Sequence, residues 1–444
     1  MVSTISSINN SLIKMITTNL GTSGVNRLVM MGLFTSSAYA RLSYTDDGAV
    51  FVNCEGTPTQ FSATKIPFMG MFGAYLYVSD GVNTVVRYDG TSVTTVAAFP
   101  LYSKCAVHKN YMFAANAKTI YWSDISDPTT WPVNNFQTIN SIEGDSIIGI
   151  RSWGGNLIIF CRRSMWVFVG DSFDPIDAQY YLQKIDTPPN FNFMAGETIV
   201  THGGVVKFLT VDGFYAYTGG TQIIKISDPI QPDLEAILYG NIALNGDNNL
   251  SAPRSFVWKN NMYCSFLISS AMKWIIHDTM GKWWYWEQTS PVNGYPFGLA
   301  ACDFGSGEKL YGCNTGYSIL MTMDTGNNEG TTIVASPAAI SAYWISKDLS
   351  FPSETRFLYA DIFLKKQAAV ATLGTLVFSY SIDGATFITA NVDMMSGVGT
   401  ILKKRVPIMR IGRSIRVKVL NAELGVTFEV YQVNISYEQT DAMR

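Results

Sequence analysis

The stretch His108 to Pro132, HKNYMFAANAKTIYWSDISDPTTWP, decides the fold. Tyr111-Met112-Phe113-Ala114 is an apolar run of strand length, and Asn116-Ala117-Lys118 is a polar turn. Thr119-Ile120-Tyr121-Trp122 is a second run, followed by a loop from Ser123 through Pro128 to Trp131-Pro132. Two aromatic-rich apolar runs bounded by Asn, Asp, Ser and Pro predict a β-hairpin.

The same grammar recurs in both directions. Upstream, Tyr75-Leu76-Tyr77-Val78 turns at Ser79-Asp80-Gly81 towards Val85-Val86-Arg87-Tyr88. Downstream, Leu157 to Phe160 is followed by Met165 to Val169, and Val205 to Leu209 by Phe214 to Tyr217. Asn261 to Phe266 is followed by Lys273 to Ile276, and Lys309 to Gly312 by Tyr317 to Leu320. First strands begin near residues 28, 75, 111, 157, 206, 262 and 310, a spacing of roughly 36 to 56 residues. Repeats of ~40–50 residues with several short strands each are the signature of propeller blades. Six hairpins are clear and the one near Leu28 is weaker, so the pattern predicts a six-bladed propeller over residues 25–326, with seven blades as the other reading.

Three segments break the repeat. Residues 1–24 are rich in Ser, Thr and Asn and read as an N-terminal arm, with a short helix near Leu12 to Ile16 or a flexible docking segment as alternatives. Asp171 to Asn190 and Asp228 to Ser251 read as insertions between blades, the second with a helix over Asp233 to Leu238. Beyond a Gly/Asn linker at Gly326 to Gly330 the pattern changes. Strand runs over Ile340–Ile345, Arg356–Leu364, Leu376–Ile382, Ser414–Leu420 and Val426–Tyr437 predict an antiparallel β-sandwich over residues 327–444. There Leu358, Ala360, Ile362 and Leu364 share one face and Asp361 and Lys365 the other, with a tight turn at Asp383-Gly384. The whole chain reads as all-β.

Charged residues make up only 15% of the 444 and aromatics 13%, with a formal net charge of −3. That balance excludes bulk attraction to nucleic acid and suits a chain that buries much surface against itself or its partners. No apolar run reaches the ~18 residues of a membrane helix, so insertion of this chain into a membrane is not expected. The N-terminus does not read as a secretion signal. Cys54, Cys105, Cys161, Cys264, Cys302 and Cys313 are scattered without a CxxC pair, which predicts small buried hydrophobes in a reducing cytoplasm rather than a metal or redox site.

Sequence motifs for chemistry are sparse. His108, His202 and His277 stand dozens of residues apart and read as structural. No nucleophile elbow, zinc helix, P-loop or dinucleotide fingerprint occurs. Neither catalysis nor a cofactor is expected. Ser381-Ile382-Asp383-Gly384-Ala385-Thr386-Phe387 resembles the Asp-box of sialidase-type propellers, in which the Asp caps a turn and does no chemistry. Trp283-Trp284-Tyr285-Trp286 reads as blade packing, with a sugar platform as the alternative. The candidate contact residues are the basic run Lys403, Lys404, Arg405, Arg410, Arg413, Arg416 and Lys418, facing either DNA phosphates or a partner protein. Alternation sets Arg416 and Lys418 opposite Ile415, Val417 and Val419.

Residues 156–171, NLIIFCRRSMWVFVGD, together with residues 120–132, IYWSDISDPTTWP, resemble the tail hub, nozzle or packaged-DNA-stabilisation propeller proteins of short-tailed phages. The C-terminal RIGRSIRVKV and VYQVNISY are similar to the sandwich that follows the propeller in that family. The resemblance implies a virion tail protein assembled in the host cytoplasm. Its partners would be further copies in a six-membered ring, the portal and adaptor proteins, other tail proteins, and the packaged double-stranded DNA passing through the channel. Such a ring retains DNA until infection and conducts it afterwards, and a near-neutral wall suits a channel that must not grip its cargo. The alternative function is a receptor- or glycan-binding propeller module of the tail.

Overall fold

The computed structural model describes residues 2–439 apart from 5–7, 22–25, 35–38, 49, 57–59, 103, 141–144, 174–178, 190, 194, 242–251, 269–270, 289–295, 315–318, 324–327, 330–337, 340–341, 347, 367–374, 395–399 and 422–429. The chain divides into two compact units, Met1–Trp283 with Gln288–Asp324, and Trp284–Glu287 with Thr325–Arg444. The first is a β-propeller and the second a β-sandwich, as the repeat spacing and the change of pattern beyond residue 326 predict.

The propeller has seven sheets among the described residues, not the preferred six. Their innermost strands are Ile8–Thr18, Phe68–Phe72, Lys104–His108, Ile147–Trp153, Val200–His202, Arg254–Trp258 and Pro296–Asp303, which number blades 1 to 7. Each touches the next around a closed circuit, with the short turn Gly196–Thr198 completing the contact from blade 4 to blade 5 and blade 7 returning to blade 1. The expected N-terminal arm is part of this ring. Ile8–Thr18 is the inner strand of blade 1, with no helix near Leu12, and Val2–Thr4 is the outer strand of blade 7. Val2 pairs with Met321, Ser3 with Leu320 and Thr4 with Ile319. The two ends of the propeller chain thus share one sheet.

A single two-residue turn recurs between the inner strand and the second strand. Lys109-Asn110, Gly154-Gly155, Gly203-Gly204 and Lys259-Asn260 all have positive φ at both positions. That conformation gives a hairpin the twist of its strands and favours Gly and Asn. Farther out, acidic residues fasten the connections. Asp80 accepts from the N–H groups of Val82 and Asn83, Asp89 from Thr91 and Ser92, and Asp303 from Gly305 and Gly307.

The apolar strands are explained by stacking on both faces. In Asn156–Cys161, Leu157 and Ile159 join the core shared with blade 3, while Ile158 and Phe160 join the core shared with blade 5. In blade 3, Phe113 and Ala115 face blade 4, and Met112 and Ala114 face blade 2. Each Leu, Ile, Phe or Met among them contributes ~1.5–3 kcal/mol when fully buried. The segment from Asp171, expected as an insertion, is partly core: Phe173 is buried against Phe113, Phe168 and Tyr180, and its carbonyl accepts the Trp122 indole N–H at 2.7 Å. The helix expected after Asp228 is Gln231–Asn241, with Leu234, Ile237 and Leu238 buried.

In the sandwich two long strands, Leu349–Lys365 and Ile401–Asn421, serve both layers. The first part of Ile401–Asn421 pairs with Leu349–Lys365, which pairs in turn with Val430–Gln439. Its second part pairs with Thr375–Ile382 and Ala342–Ile345. Phe357, Ile362 and Leu364 from one layer meet Leu376, Phe378, Ile415 and Val417 in one core. The Asp383-Gly384 turn is present, both residues with positive φ, and Asp383 Oδ1 accepts from the N–H groups of Arg413 and Ser414. Its carboxylate is structural, as the Asp-box likeness implies. The expected linker at Gly326 to Gly330 lies largely outside the described residues.

Deleting residues 1–4 removes the pairing that joins blade 1 to blade 7 and will lower the thermal midpoint by several degrees. Differential scanning calorimetry of the full chain and the truncation reads this directly, and an unchanged midpoint would show that the ring does not depend on that strand.

Candidate functional site

The inner strands of all seven blades line a cavity of about 440 Å³ at the centre of the propeller. Among the described residues its wall carries Lys14, Lys104, Arg151 and Arg254 against one carboxylate, Glu197. Lys104 and Arg254 are the first residues of their strands, and Arg151 stands farther along its own. Lys104 Nζ donates to the Ile147 carbonyl at 2.7 Å, and Arg254 Nη1 to the Ile13 carbonyl at 2.5 Å. Lys14 from blade 1 lies 2.9 Å from both Glu197 oxygens, ahead of blade 5, so an ion pair bridges non-neighbouring blades.

Glu197 reaches the lumen because two glycines let its turn approach blade 4. A Cβ on Gly149 would lie 2.5 Å from Ile199 Cδ1, and one on Gly196 would lie 2.6 Å from the Ile148 carbonyl oxygen. The register of blade 4 shifts between Ile147 and Gly149 at this point. Arg151 remains solvent-exposed, yet its surroundings lower its pKa through desolvation, against the pull of Glu197. The lumen thus holds a guanidinium that is accessible yet closely surrounded by protein.

A second cluster lies between blades 5 and 6. Lys207 Nζ is 2.8 Å from His202 Nδ1 and 2.9 Å from His277 Nδ1, and His202 Nε2 is 2.9 Å from the Asn260 carbonyl. All three side chains are buried, and Trp283 packs 4.1 Å from the His277 ring. The histidines read as separate in sequence are therefore brought together here, while His108 stands apart, 2.8 Å from Ser152 Oγ. Burial, helped by Lys207 and His202, pushes His277 down to about 4, and burial with Lys109 pushes His108 down to about 4. Burial also lowers His202, against its bond with Asn260, and takes Lys207 down to about 8 against the pull of Asp278.

The basic C-terminal run is not one continuous patch. Asp361 receives Arg405 Nε at 2.8 Å and Nη2 at 3.0 Å, and Lys403 Nζ at 2.9 Å. Those bonds, Arg405 first, hold the Asp361 carboxyl well below the usual carboxylate range. Arg405 lies over the Tyr359 ring at 3.7 Å. Lys404 stands 3.8 Å from Asp393, and Arg416 Nε donates to the Ser346 carbonyl. Arg410 and Arg413 are exposed, whereas Arg416 and Lys418 are half-buried opposite buried Ile415, Val417 and Val419, the alternation expected. Trp283 packs on His277 and Phe214, which favours the packing reading for that residue, while Trp284 is exposed. Cys105, Cys161, Cys264 and Cys302 are free and buried, and Cys54 is free and half-buried.

Among the described residues, no group of three His, Cys, Asp or Glu is arranged to hold a metal, and no helix is long and apolar enough to cross a membrane. The sequence pattern did not single out the lumen cations. Their one signal is a charge within an otherwise apolar inner strand, as in Ile147-Ile148-Gly149-Ile150-Arg151.

No family model and no curated protein matches the chain. Among solved structures it is similar to PorZ, a surface component of the type-IX secretion system of Porphyromonas gingivalis, at 10% identity and a TM-score of 0.44, covering 88% of this chain and 46% of that one. It is also similar to the extracellular domain of BT4673 from B. thetaiotaomicron, at 8% identity and a TM-score of 0.48, covering 81% and 42%. The N-terminal domain of Nup159 aligns at 12% identity and a TM-score of 0.40, covering 72% and 93%. The chain thus spans less than half the length of the first two.

The three histidines refuse protons that an unfolded chain would take. Between pH 6.5 and about 4 the unfolded state binds more protons, so stability falls as the pH falls through that window. Urea denaturation at pH 7 and pH 5 should show a loss on the order of 4 kcal/mol, about 2 kcal/mol smaller in His277→Gln. In a separate test, Gly149→Ala should cost ~1–3 kcal/mol by overpacking against Ile199, read as a lower urea midpoint at pH 7.

Proposed function

We propose that this protein is a non-catalytic building part of a short-tailed phage tail, a hub or nozzle subunit whose copies, six by the family resemblance, close into a ring around the DNA exit channel. The observation that carries the reading is the rim of the propeller. Phe136, Tyr181 and Ile224 sit on the outer strands of blades 3, 4 and 5 and are 48%, 58% and 55% exposed. Large apolar side chains on consecutive exposed strand edges favour burial against another protein. The low charge and high aromatic content point the same way.

The carboxylates also support a structural role. Asp80, Asp89 and Asp303 are spent on turn N–H groups, Asp383 on strand N–H groups, and Asp361 on Arg405 and Lys403. In this reading DNA does not pass through the propeller itself. A lumen of about 440 Å³ bridged by Lys14 and Glu197 has no room for a duplex whose major groove alone is ~12 Å wide. The conducting channel lies instead on the symmetry axis between copies.

Native mass spectrometry and negative-stain imaging of the concentrated protein should reveal a cyclic oligomer, dispersed when Phe136, Tyr181 and Ile224 are all changed to Asp. A protein that stays monomeric and is retained on a glycan array would overturn this reading in favour of a receptor-binding module.

A further inference from the structure

We propose that the central lumen of the propeller is a binding site for a small multivalent oxyanion, a phosphate- or polycarboxylate-bearing molecule, held by Arg151 together with Lys14, Lys104 and Arg254. This goes beyond the assembly reading and does not depend on it.

The space comes first. A cavity of about 440 Å³ falls within the ~300–1,000 Å³ range of small-molecule sites. It is walled by a rigid ring of paired strands, so the site is formed before any ligand arrives.

Charge decides the ligand class. Among the described residues the wall carries four cations and one carboxylate. Within a lumen walled by protein, such an imbalance attracts anions more strongly than the same charges on an open surface. Two of the cations are held in place by the fold: Lys104 through the Ile147 carbonyl and Arg254 through the Ile13 carbonyl.

Arg151 is the group that calls for a ligand. Among the described residues it makes no ion pair, and it is exposed to the lumen. A guanidinium stays protonated and presents a planar fork that matches phosphate or carboxylate oxygens in pairs. The protein already supplies one partial substitute. Glu197 bonds Lys14 through both oxygens, showing how a carboxylate is received at this point in the lumen. An incoming oxyanion competes with that carboxylate for Lys14 and gains Arg151.

Isothermal titration calorimetry and thermal-shift assays on the full chain, with inorganic pyrophosphate and with citrate at matched ionic strength, test this. Saturable binding is expected with at least one of the two, and none with chloride. Arg151→Ala should weaken it about tenfold or more, and Arg151→Lys less, because a point charge replaces the fork. Glu197→Gln should tighten it several-fold, since it removes the competing carboxylate, whereas a merely structural role for Glu197 predicts no tightening. Circular dichroism of each variant without ligand checks the fold, and if Arg151→Ala fails to fold, the Lys and Glu197→Gln arms carry the test. No saturable binding of either anion, or binding equal in wild type, Arg151 variants and Glu197→Gln, would overturn the proposal.

Discussion

Each blade of this propeller is apolar on both of its faces, and that constraint governs the rest of the molecule. A sheet with one wet face alternates polar and apolar residues, whereas Leu157, Ile158, Ile159 and Phe160 are all fully buried in succession. Such a sheet is stable only between two others. A row of them would leave two oily ends, and the ring removes both. The pairing of Val2–Thr4 with Ile319–Met321 is therefore where the stability of the stack is completed.

Placing seven inner strands side by side also creates what lies at the centre. A strand edge facing the axis cannot be filled by aromatic side chains from every blade, so the lumen remains open and polar, lined by Lys14, Arg151, Glu197 and their neighbours. Gly149 and Gly196 show how closely backbone is packed around it. Between blades, the same closeness forces the polar exceptions into networks. Lys207 survives in the wall between blades 5 and 6 because two neutral imidazoles receive its protons.

Much of the fold was legible in the sequence, since hairpins leave local marks: aromatic pairs, Asn and Gly turns, and a spacing that repeats. The blade count was less so: the hairpin near Leu28 is weak because the inner strand of blade 1 hides in Ser- and Asn-rich residues, and the outer strand of blade 7 comes from Val2–Thr4, at the far end of the chain. Candidate sites fared worse, because they depend on long-range pairing. The run from Lys403 to Lys418 reads in sequence as a contact strip for DNA or a partner, and nothing local shows that Asp361, across the ladder, takes up Lys403 and Arg405. The lumen cations sit on four different blades, and no spacing in the sequence connects them. His202 and His277 meet only because blades 5 and 6 are neighbours, and Lys207 between them carried no sequence signal.

The shared last sheet has a consequence for how the protein is made. A ribosome delivers the chain in order, so Val2–Thr4 emerges long before Ile319–Met321 and must wait for it before it has a partner. During that interval the early blades form an open crescent whose leading and trailing surfaces are both greasy. Synthesis of this protein should therefore lean on holding chaperones late in translation, and a stall before the final hairpin would leave a product prone to clump rather than a smaller propeller.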